Sequence, residues 1–292
     1  IYADELVDFF GVDAVRYFVL HEMPFENDGV ITWELMVERL NSELANTLGN
    51  LVNRTISMSN KYFGGVVENK GVVEPVDEDL KAFALAVPGK VAEKMDKLRV
   101  ADAMTEVFTL FKRLNKYIDE TMPWALAKDE AKKDRLATVL YNLVEGITMG
   151  ATLLESFMPE TTERILAQLN TEKRTLEDLK TFGLYPSGNK VTEKPEILFA
   201  RLDLKEVLAK VEELHPKKEE PVEEAKEENV IDIEAKPEIT FDDFGKLQFQ
   251  VGEIIACEEV KKSRKLLCSQ VKIGSQVRQI VSGIKSHYSA EE

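Results

Sequence analysis

Apolar residues recur at spacings of three and four over most of residues 1–214, and this spacing is the period of a helix. The most regular stretch lies within residues 33–63, and its apolar face comprises Trp33, Val37, Leu40, Leu44, Leu48, Leu51 and Thr55. Thr32 can cap the start of this stretch, and Gly64-Gly65 can end it. The pattern therefore predicts one long helix with a buried face over residues 33–63.

Further helices are predicted on both sides of this one. Two short helices precede it: the first ends at Gly11, and the second is capped by Asp13 and ends before Pro24. Others are predicted over residues 77–98, 100–121, 133–157 and 204–214, with a shorter helix that ends near residue 169. Pro88-Gly89 should kink or interrupt the helix over residues 77–98. Residues 183–203 have the pattern of a small hairpin. Long helices joined by short loops predict a mainly α fold, a helix bundle.

The composition changes after residue 214. Residues 215–238 consist largely of Pro, Lys and Glu, which predicts a flexible acidic linker. From Ile239 the apolar period becomes two, and the runs 246–256, 266–274 and 277–284 are separated by glycine corners. Three short strands of this kind predict part of a β-barrel. We therefore expect three regions: a bundle over 1–214, a linker over 215–238 and a β module over 239–292.

The charge of the chain is unevenly distributed. The net charge of −15 argues against a nucleic-acid partner for the chain as a whole, because phosphates attract cations. Residues 239–292, however, hold eight basic and seven acidic side chains, a net charge of +1, so the remainder carries −16. A basic cluster formed by Lys261, Lys262, Arg264 and Lys265 follows the first predicted strand. It is either a solvated loop or a contact for an RNA backbone.

Several classes of site are not predicted. Two cysteines are too few for a disulfide framework or a zinc site, and no run of about 18 apolar residues predicts a membrane span. There is no Gly-rich phosphate loop, no G-x-G-x-x-G after a strand, no H-E-x-x-H and no nucleophile elbow, so we predict no catalytic residue and no metal ligand. The chain begins without methionine and inside a helical pattern, and we expect it to be a piece of a longer protein.

Trp124, in the stretch YIDETMPWALAKDE, is a candidate functional residue at a predicted break between helices. Its ring either fills the gap between two helices or forms an exposed platform on which a base of single-stranded RNA stacks. Pro123 would fix the backbone that carries the ring. Asn50 and Arg54 lie at positions i and i+4 of the long helix, so both project from one face. They either recognise base edges or are surface residues, with Arg54 in a salt bridge.

These stretches together resemble a known family. The sequences NLVNR (residues 50–54), YIDETMPWALAK (residues 117–128) and GNKVTEKPEILFARLD (residues 188–203) resemble the anticodon-binding helix bundle of methionyl-tRNA synthetases, over about residues 1–214. The resemblance implies that Asn50, Arg54 and Trp124 contact the anticodon, chiefly its first base, a cytosine, and that Pro123 sets the ring. The first 30 or so residues would join the bundle to a catalytic domain that this chain lacks.

The last segment resembles the tRNA-binding OB-fold module of many bacterial members of that family, most closely over RQIVSGI (residues 278–284). It departs from the family pattern at Gln248, Gln250 and Ser263-Arg264, and it covers about half of the module. The resemblance implies contacts to the tRNA backbone from Lys261, Lys262, Arg264, Lys265 and Arg278. It also implies a homodimer through the complete module.

The resemblance implies that this chain is the tRNA-reading part of a methionine–tRNA ligase, a class I aminoacyl-tRNA synthetase, and is inactive alone. ATP with magnesium, and zinc, would bind only upstream, so no cofactor is expected here. The expected partner is methionine tRNA with the anticodon CAU, in the cytoplasm, without DNA or a membrane. The alternatives are a stand-alone tRNA-binding or assembly protein and a bundle from a class I synthetase for another amino acid.

Overall fold

A computed structural model describes residues 1–23, 28–215, 240–261 and 263–290. The chain divides into two compact units, Ile1–Glu219 and Glu220–Glu292. Apart from His215, the predicted linker lies outside the described residues. The fold-class prediction is confirmed, because the first unit is a helix bundle and the second contains a small β-sheet. The predicted domain boundaries stay a prediction.

The helices of the first unit follow the predicted order. They are α1 (Ala3–Phe10), α2 (Val12–Glu22), α3 (Trp33–Arg39), a π-helical segment (Leu40–Gly49), α4 (Asn50–Phe63), α5 (Pro75–Asp96), α6 (Val100–Thr121), α7 (Pro123–Leu126), α8 (Lys133–Leu154), α9 (Pro159–Leu169) and α10 (Leu204–Leu214). Short 3₁₀ turns lie at Glu130–Lys132 and Asp178–Lys180. Thr32 accepts a hydrogen bond from the Leu35 N–H at the start of α3, and left-handed Gly64 ends α4, as predicted.

Helix α8 forms the centre of the bundle. It is buried along almost its whole length and packs against α4, α5, α6, α7 and α9. Within the described residues, Glu130–Leu154 is the one helical stretch long and apolar enough to cross a membrane, but 94% of its most apolar window is buried in the bundle. It is therefore the core helix. Gly146 and Gly150 bring α8 close to α6, because a methyl group at either position would overlap Leu114 or Phe111.

Two predictions about helix signals have different outcomes, and the one that makes Asp13 the cap of α2 is wrong. Asp13 lies inside α2 rather than at its cap; its buried carboxylate accepts a hydrogen bond of 2.5 Å from the Thr161 N–H, so it caps the first turn of α9 instead. The predicted interruption at Pro88-Gly89 is absent, because helix α5 continues through Pro88, and the kink predicted as its alternative stays a prediction. The buried residues Ala84, Val87 and Val91 hold α5 in the bundle on both sides of the proline, and this packing compensates for the missing hydrogen bond.

The long helix predicted over residues 33–63 is regular only at its two ends. Between α3 and α4, the segment Leu40–Gly49 has π-helical bonding, in which each N–H reaches back five residues; the Asn50 N–H bonds to the Ala45 carbonyl in this way. The segment keeps its buried stripe, since Leu40, Leu44 and Leu48 all face the core. The wider turn therefore lies immediately before Asn50.

The predicted hairpin at residues 183–203 is wrong. Its strand β2 (Asn189–Lys190) pairs in antiparallel fashion with β1 (Val66–Val67), which follows α4, and not with a neighbouring part of its own segment. The Asn60 side chain donates a hydrogen bond of 2.8 Å to the Thr192 carbonyl next to this pair. Residues 183–203 are thus attached to the end of α4.

The second unit contains an antiparallel sheet in the order β3 (Glu253–Glu259), β4 (Leu267–Ile273) and β5 (Gln276–Ser282), after a short helix α11 (Phe241–Phe244). The first predicted strand begins too early, since residues 246–252 are not part of β3. Cys257 and Cys268 are both free thiols.

Candidate nucleic-acid interface

The corner between α6 and α7 presents Trp124 to solvent. Helix α6 ends at Thr121 and is capped by Met122, whose backbone is left-handed with φ 45° and whose N–H bonds to the Ile118 carbonyl at 2.9 Å. Pro123 follows as the first residue of α7 and is buried, whereas Trp124 is 42% exposed. The other tryptophan, Trp33, is only 9% exposed. The backbone that carries the Trp124 indole is therefore fixed by buried contacts while the ring itself is accessible.

Arg54 lies beside the last turns of α6. Its Nη2 atom is 3.9 Å from Asp119 Oδ1, five residues before Trp124. Two contacts upstream show that the long helix and α6 run in parallel: Lys112 Nζ lies 2.9 Å from Glu43 Oε1, and Asn115 donates to the Thr47 carbonyl at 3.0 Å. The chain thus advances along both helices toward the end of α6, where Trp124 follows.

The predicted salt bridge at Arg54 is present but weak. The distance is near the limit for an ion pair, and both side chains are partly exposed, so the pair contributes little to stability. Asn50 is the exposed first residue of α4, and its side chain has no hydrogen-bond partner among the residues that the structure describes. Asn50 and Arg54 therefore keep polar groups available for a ligand. The roles of Asn50, Arg54, Pro123 and Trp124 remain predictions.

A buried polar cluster beneath this corner was not predicted from the sequence. Asp77, the third residue of α5, accepts hydrogen bonds from both terminal nitrogens of Arg135, at 2.7 and 3.0 Å, and from the hydroxyl of Tyr117. Asn142 donates to Asp77 at 3.3 Å and to the Tyr117 hydroxyl at 3.1 Å. Burial and the hydrogen bond to Asp77 raise the pKa of Tyr117 well above its ordinary value, so the hydroxyl stays protonated.

The predicted backbone contacts of the second unit lie on exposed positions. Lys261, Arg264 and Lys265 belong to the connection between β3 and β4, and Arg278 lies on β5 opposite Val271. Lys262 lies outside the described residues. None of the four described cations has an ion-pair partner within the described residues. They are therefore free to approach phosphate, a role that remains a prediction.

No group of three or more His, Cys, Asp and Glu side chains that could hold a metal ion occurs within the described part of the chain. The predicted placement of ATP, magnesium and zinc upstream of this chain stays a prediction.

Three family models match the chain. The anticodon binding domain of methionyl tRNA ligase matches residues 69–214, which is half of the chain. The class I tRNA synthetase (M) model matches residues 1–56, and a putative tRNA binding domain matches residues 249–292. The resemblance stated from the sequence is thereby confirmed.

Individual proteins that are similar to this chain are methionine–tRNA ligases as well. The methionine–tRNA ligase of Clostridium perfringens is 47% identical over 287 residues, covering 98% of this chain and 44% of the relative. The corresponding ligase of Caldanaerobacter subterraneus subsp. tengcongensis is 47% identical over 289 residues, covering 99% of this chain and 44% of the relative. The apo Mycobacterium tuberculosis methionyl-tRNA synthetase structure has a TM-score of 0.65 at 32% identity, covering 70% of this chain and 41% of that chain.

This chain therefore spans less than half the length of the curated relatives it matches. Nothing in these matches supports a stand-alone tRNA-binding protein. The family models match in the order class I segment, anticodon-binding domain and tRNA-binding module. With half of its residues matched by a single model of that family, the chain belongs to the methionyl-tRNA ligases.

Proposed function

We propose that this chain is the tRNA-recognition portion of a methionine–tRNA ligase and that its helix bundle reads the CAU anticodon of methionine tRNA. The observation that carries the proposal is the exposed Trp124 indole on a fixed corner, with Arg54 beside the same end of α6. Recognition here would allow an ATP-dependent catalytic domain to attach methionine to the correct tRNA. Magnesium, ATP and zinc would bind to that domain and not to this chain.

The chemistry of the site fits an unpaired base. An exposed indole offers a π-face on which a base stacks, and stacking alone does not distinguish one base from another. Asn50 offers one amide donor group and one carbonyl acceptor, whereas the Arg54 guanidinium donates to base edges or to a phosphate. We therefore assign stacking on the first anticodon base, cytosine, to Trp124, and hydrogen bonding near it to Asn50 and Arg54. Pro123 holds the ring in place.

The second unit would bind the tRNA backbone without sequence preference. We define the basic loop as Lys261, Lys262, Arg264 and Lys265, and we place Arg278 on the same binding surface. Phosphate contacts of this kind position an RNA but do not specify its sequence. A homodimer through the complete module and a cytoplasmic location belong to the same proposal.

Filter binding of the chain with methionine tRNA and anticodon variants tests the proposal. Trp124→Ala should weaken binding about 5- to 150-fold, since base–aromatic stacking contributes about 1–3 kcal/mol. Tyr2→Ala is the control, because it removes an exposed aromatic ring at the start of α1. In a full-length ligase that contains this chain, Trp124→Ala should slow charging through tRNA binding and leave methionine activation without tRNA unchanged.

Two results would contradict the proposal. The first is a preference for an anticodon that does not begin with cytosine, which would exclude the methionine assignment. The second is a Trp124→Ala variant that binds as the Tyr2→Ala control does, or that loses methionine activation without tRNA, which would make Trp124 a packing residue.

A further inference from the structure

The Asp77 carboxylate is the centre of the most extensively bonded buried cluster near the α6–α7 corner. Besides the bonds from Arg135, Tyr117 and Asn142, it accepts a hydrogen bond of 2.7 Å from the Glu74 N–H, which closes the first turn of α5. Arg135 also donates to the Val72 carbonyl at 3.1 Å. Asp77 and Arg135 are each only 5% exposed. One carboxylate thus joins the loop before α5 to α5, α6 and α8.

This cluster holds the chain on both sides of Trp124. Tyr117 precedes the indole by seven residues on α6, and Arg135 follows it by eleven on α8. The connecting residues are rigid on the α6 side, because Thr121 Oγ1 donates to the Tyr117 carbonyl at 2.7 Å and the Met122 N–H bonds to the Ile118 carbonyl. The corner that carries the indole is therefore fixed at both of its ends to the same carboxylate.

A purely stabilising role does not account for such a cluster. A buried ion pair loses its hydration, and apolar residues of the same volume often stabilise a fold equally well. The cluster contributes directional hydrogen bonds. The Arg135 guanidinium donates two parallel bonds to Asp77, and the Tyr117 hydroxyl donates to the same carboxylate from a different helix. Directional bonds fix the mutual orientation of α5, α6 and α8, and the α6–α7–α8 connection carries Trp124.

The backbone conformation at Met122 is a second indication that the corner is held in one geometry. Met122 has φ 45° and ψ 64°, a left-handed conformation that a residue with a β-carbon adopts less readily than glycine. Its side chain is 48% exposed, so packing of that side chain does not explain the conformation. The backbone on either side favours it, because Pro123 disfavours a right-handed helical conformation for the residue before it and the Met122 N–H is bonded to the end of α6.

We propose that Asp77, together with Tyr117 and Arg135, is a positioning group that orients Trp124 for stacking on the anticodon base. This inference rests on the proposed function, because it assigns a positioning role at the same site. None of the three residues is expected to touch RNA. They hold the corner in its binding geometry before RNA arrives, so that binding does not have to order it.

The test compares Tyr117→Phe with Tyr141→Phe. Both tyrosines are buried, and each donates one hydroxyl hydrogen bond: Tyr117 to Asp77, and Tyr141 to the Tyr185 carbonyl at 2.8 Å. Both substitutions therefore delete the same atom and keep the ring. Each is made in the whole chain carrying Trp33→Phe, which leaves Trp124 as the remaining tryptophan of the two. Circular dichroism verifies that each variant keeps its helices.

Two quantities are measured: the Kd for methionine tRNA and the acrylamide quenching and anisotropy of Trp124 fluorescence. Tyr117→Phe should raise the Kd about 3- to 10-fold, the equivalent of one hydrogen bond, and should make Trp124 more mobile and more easily quenched. Tyr141→Phe should change neither quantity. In a full-length ligase, the effect of Tyr117→Phe should appear in KM for tRNA and not in kcat at saturating tRNA.

The outcomes separate this inference from the proposed function. If Trp124→Ala weakens binding but Tyr117→Phe behaves as Tyr141→Phe does, the positioning role is wrong and the proposed function stands. If Trp124→Ala has no effect, the proposed function fails and this inference fails with it. If Tyr117→Phe does not fold, Asn142→Leu replaces it, because that side chain bonds both Asp77 and Tyr117 and leaves the ion pair intact. Unchanged binding and fluorescence in Asn142→Leu would overturn the inference.

Discussion

The close contact between α6 and α8 predicts different effects on stability for alanine at two glycines. Gly150 lies on α8 against the ring of Phe111; a β-carbon built at Gly150 lies 2.9 Å from Phe111 Cζ and closer still to Cε1. Gly89 also lies inside a helix, α5, but has no heavy atom within 4 Å of its β-carbon position. Gly150→Ala and Gly89→Ala therefore make the same chemical change, one in a filled space and the other in an open one.

The magnitude follows from two terms. Alanine is favoured over glycine in a helix interior by about 1 kcal/mol, and this gain applies to both variants. At Gly150 the added methyl group must displace Phe111, which is fully buried and packs edge to face on Phe108 with a centroid distance of 5.6 Å. Overpacking of this kind costs about 1–3 kcal/mol. Gly89→Ala should therefore raise the free energy of unfolding by about 1 kcal/mol. The free energy of unfolding of Gly150→Ala should be about 1–3 kcal/mol lower than that of Gly89→Ala.

Urea denaturation followed by far-ultraviolet circular dichroism measures this difference, because the helical signal comes almost entirely from the first unit. The midpoints are compared only if the two variants share the same m-value. Equal midpoints would mean that α6 and α8 lie farther apart than the structure shows. That result would also weaken the account of the corner, since α6 carries Trp124 at its end.

Two further predictions concern the response to pH and to salt. Burial raises the pKa of Tyr141 and Tyr185 to about 12, so between about pH 10 and pH 12 the unfolded chain loses these protons and the folded chain keeps them. The free energy of unfolding should fall over that pH range and be unaffected below it. Thermal melts should show a shallower fall with pH in Tyr141→Phe and in Tyr185→Phe than in the unsubstituted chain. Identical stability profiles for the variants and the unsubstituted chain would refute the assignment. Serine at all four positions of the basic loop should reduce the slope of log Kd for tRNA against log salt by about 0.7–0.9 for each phosphate that the loop no longer neutralises, and an unchanged slope would remove the loop from the interface.

The positions of most helices could be predicted from the sequence because their signals are local. The apolar period, the cap at Thr32 and left-handed Gly64 all act within a few residues of the helix they define. Asp13 shows the limit of such reasoning. The sequence predicts it as a cap for α2, but it lies inside that helix and its carboxylate accepts a hydrogen bond from Thr161, 148 residues away, and only the tertiary structure brings the two together.

The π-helical segment and the pairing of β2 were missed for different reasons. The buried positions Leu40, Leu44, Leu48, Leu51 and Thr55 keep the mixed spacing of three and four that an α-helix also shows, so the sequence carried no separate signal for the π-helical bonding. The pairing of β2 with β1 had no signal either, because two-residue strands separated by more than 120 positions carry no periodicity.

The candidate site also contains residues that could be found from the sequence and residues that only the structure shows. Trp124 could be singled out from its place after Met122-Pro123, whereas Asn50 and Arg54 stand out only through the resemblance of NLVNR and YIDETMPWALAK to the family. Their roles stay predictions. The residues of the Asp77 cluster have ordinary local patterns: an acidic residue in the first turn of a helix, a tyrosine on an apolar face and an arginine near a helix start. Only their convergence from three helices makes them notable, and convergence is a property of the fold.

The uneven charge of the chain has a consequence for how the two units would divide the work of binding tRNA. The bundle, residues 1–214, carries a net charge of −11, and negative charge repels phosphate, so affinity in the bundle has to come from stacking and hydrogen bonds to bases. Residues 239–292 carry a net charge of +1 and include exposed Lys261, Arg264 and Lys265, so they are the part of the chain where phosphate contacts meet least repulsion. Anticodon preference and salt dependence should therefore separate: Trp124→Ala should reduce the preference for CAU and leave the salt slope intact, and substitution of the basic loop should do the reverse. A single variant that changed both quantities would show that one surface supplies both kinds of contact.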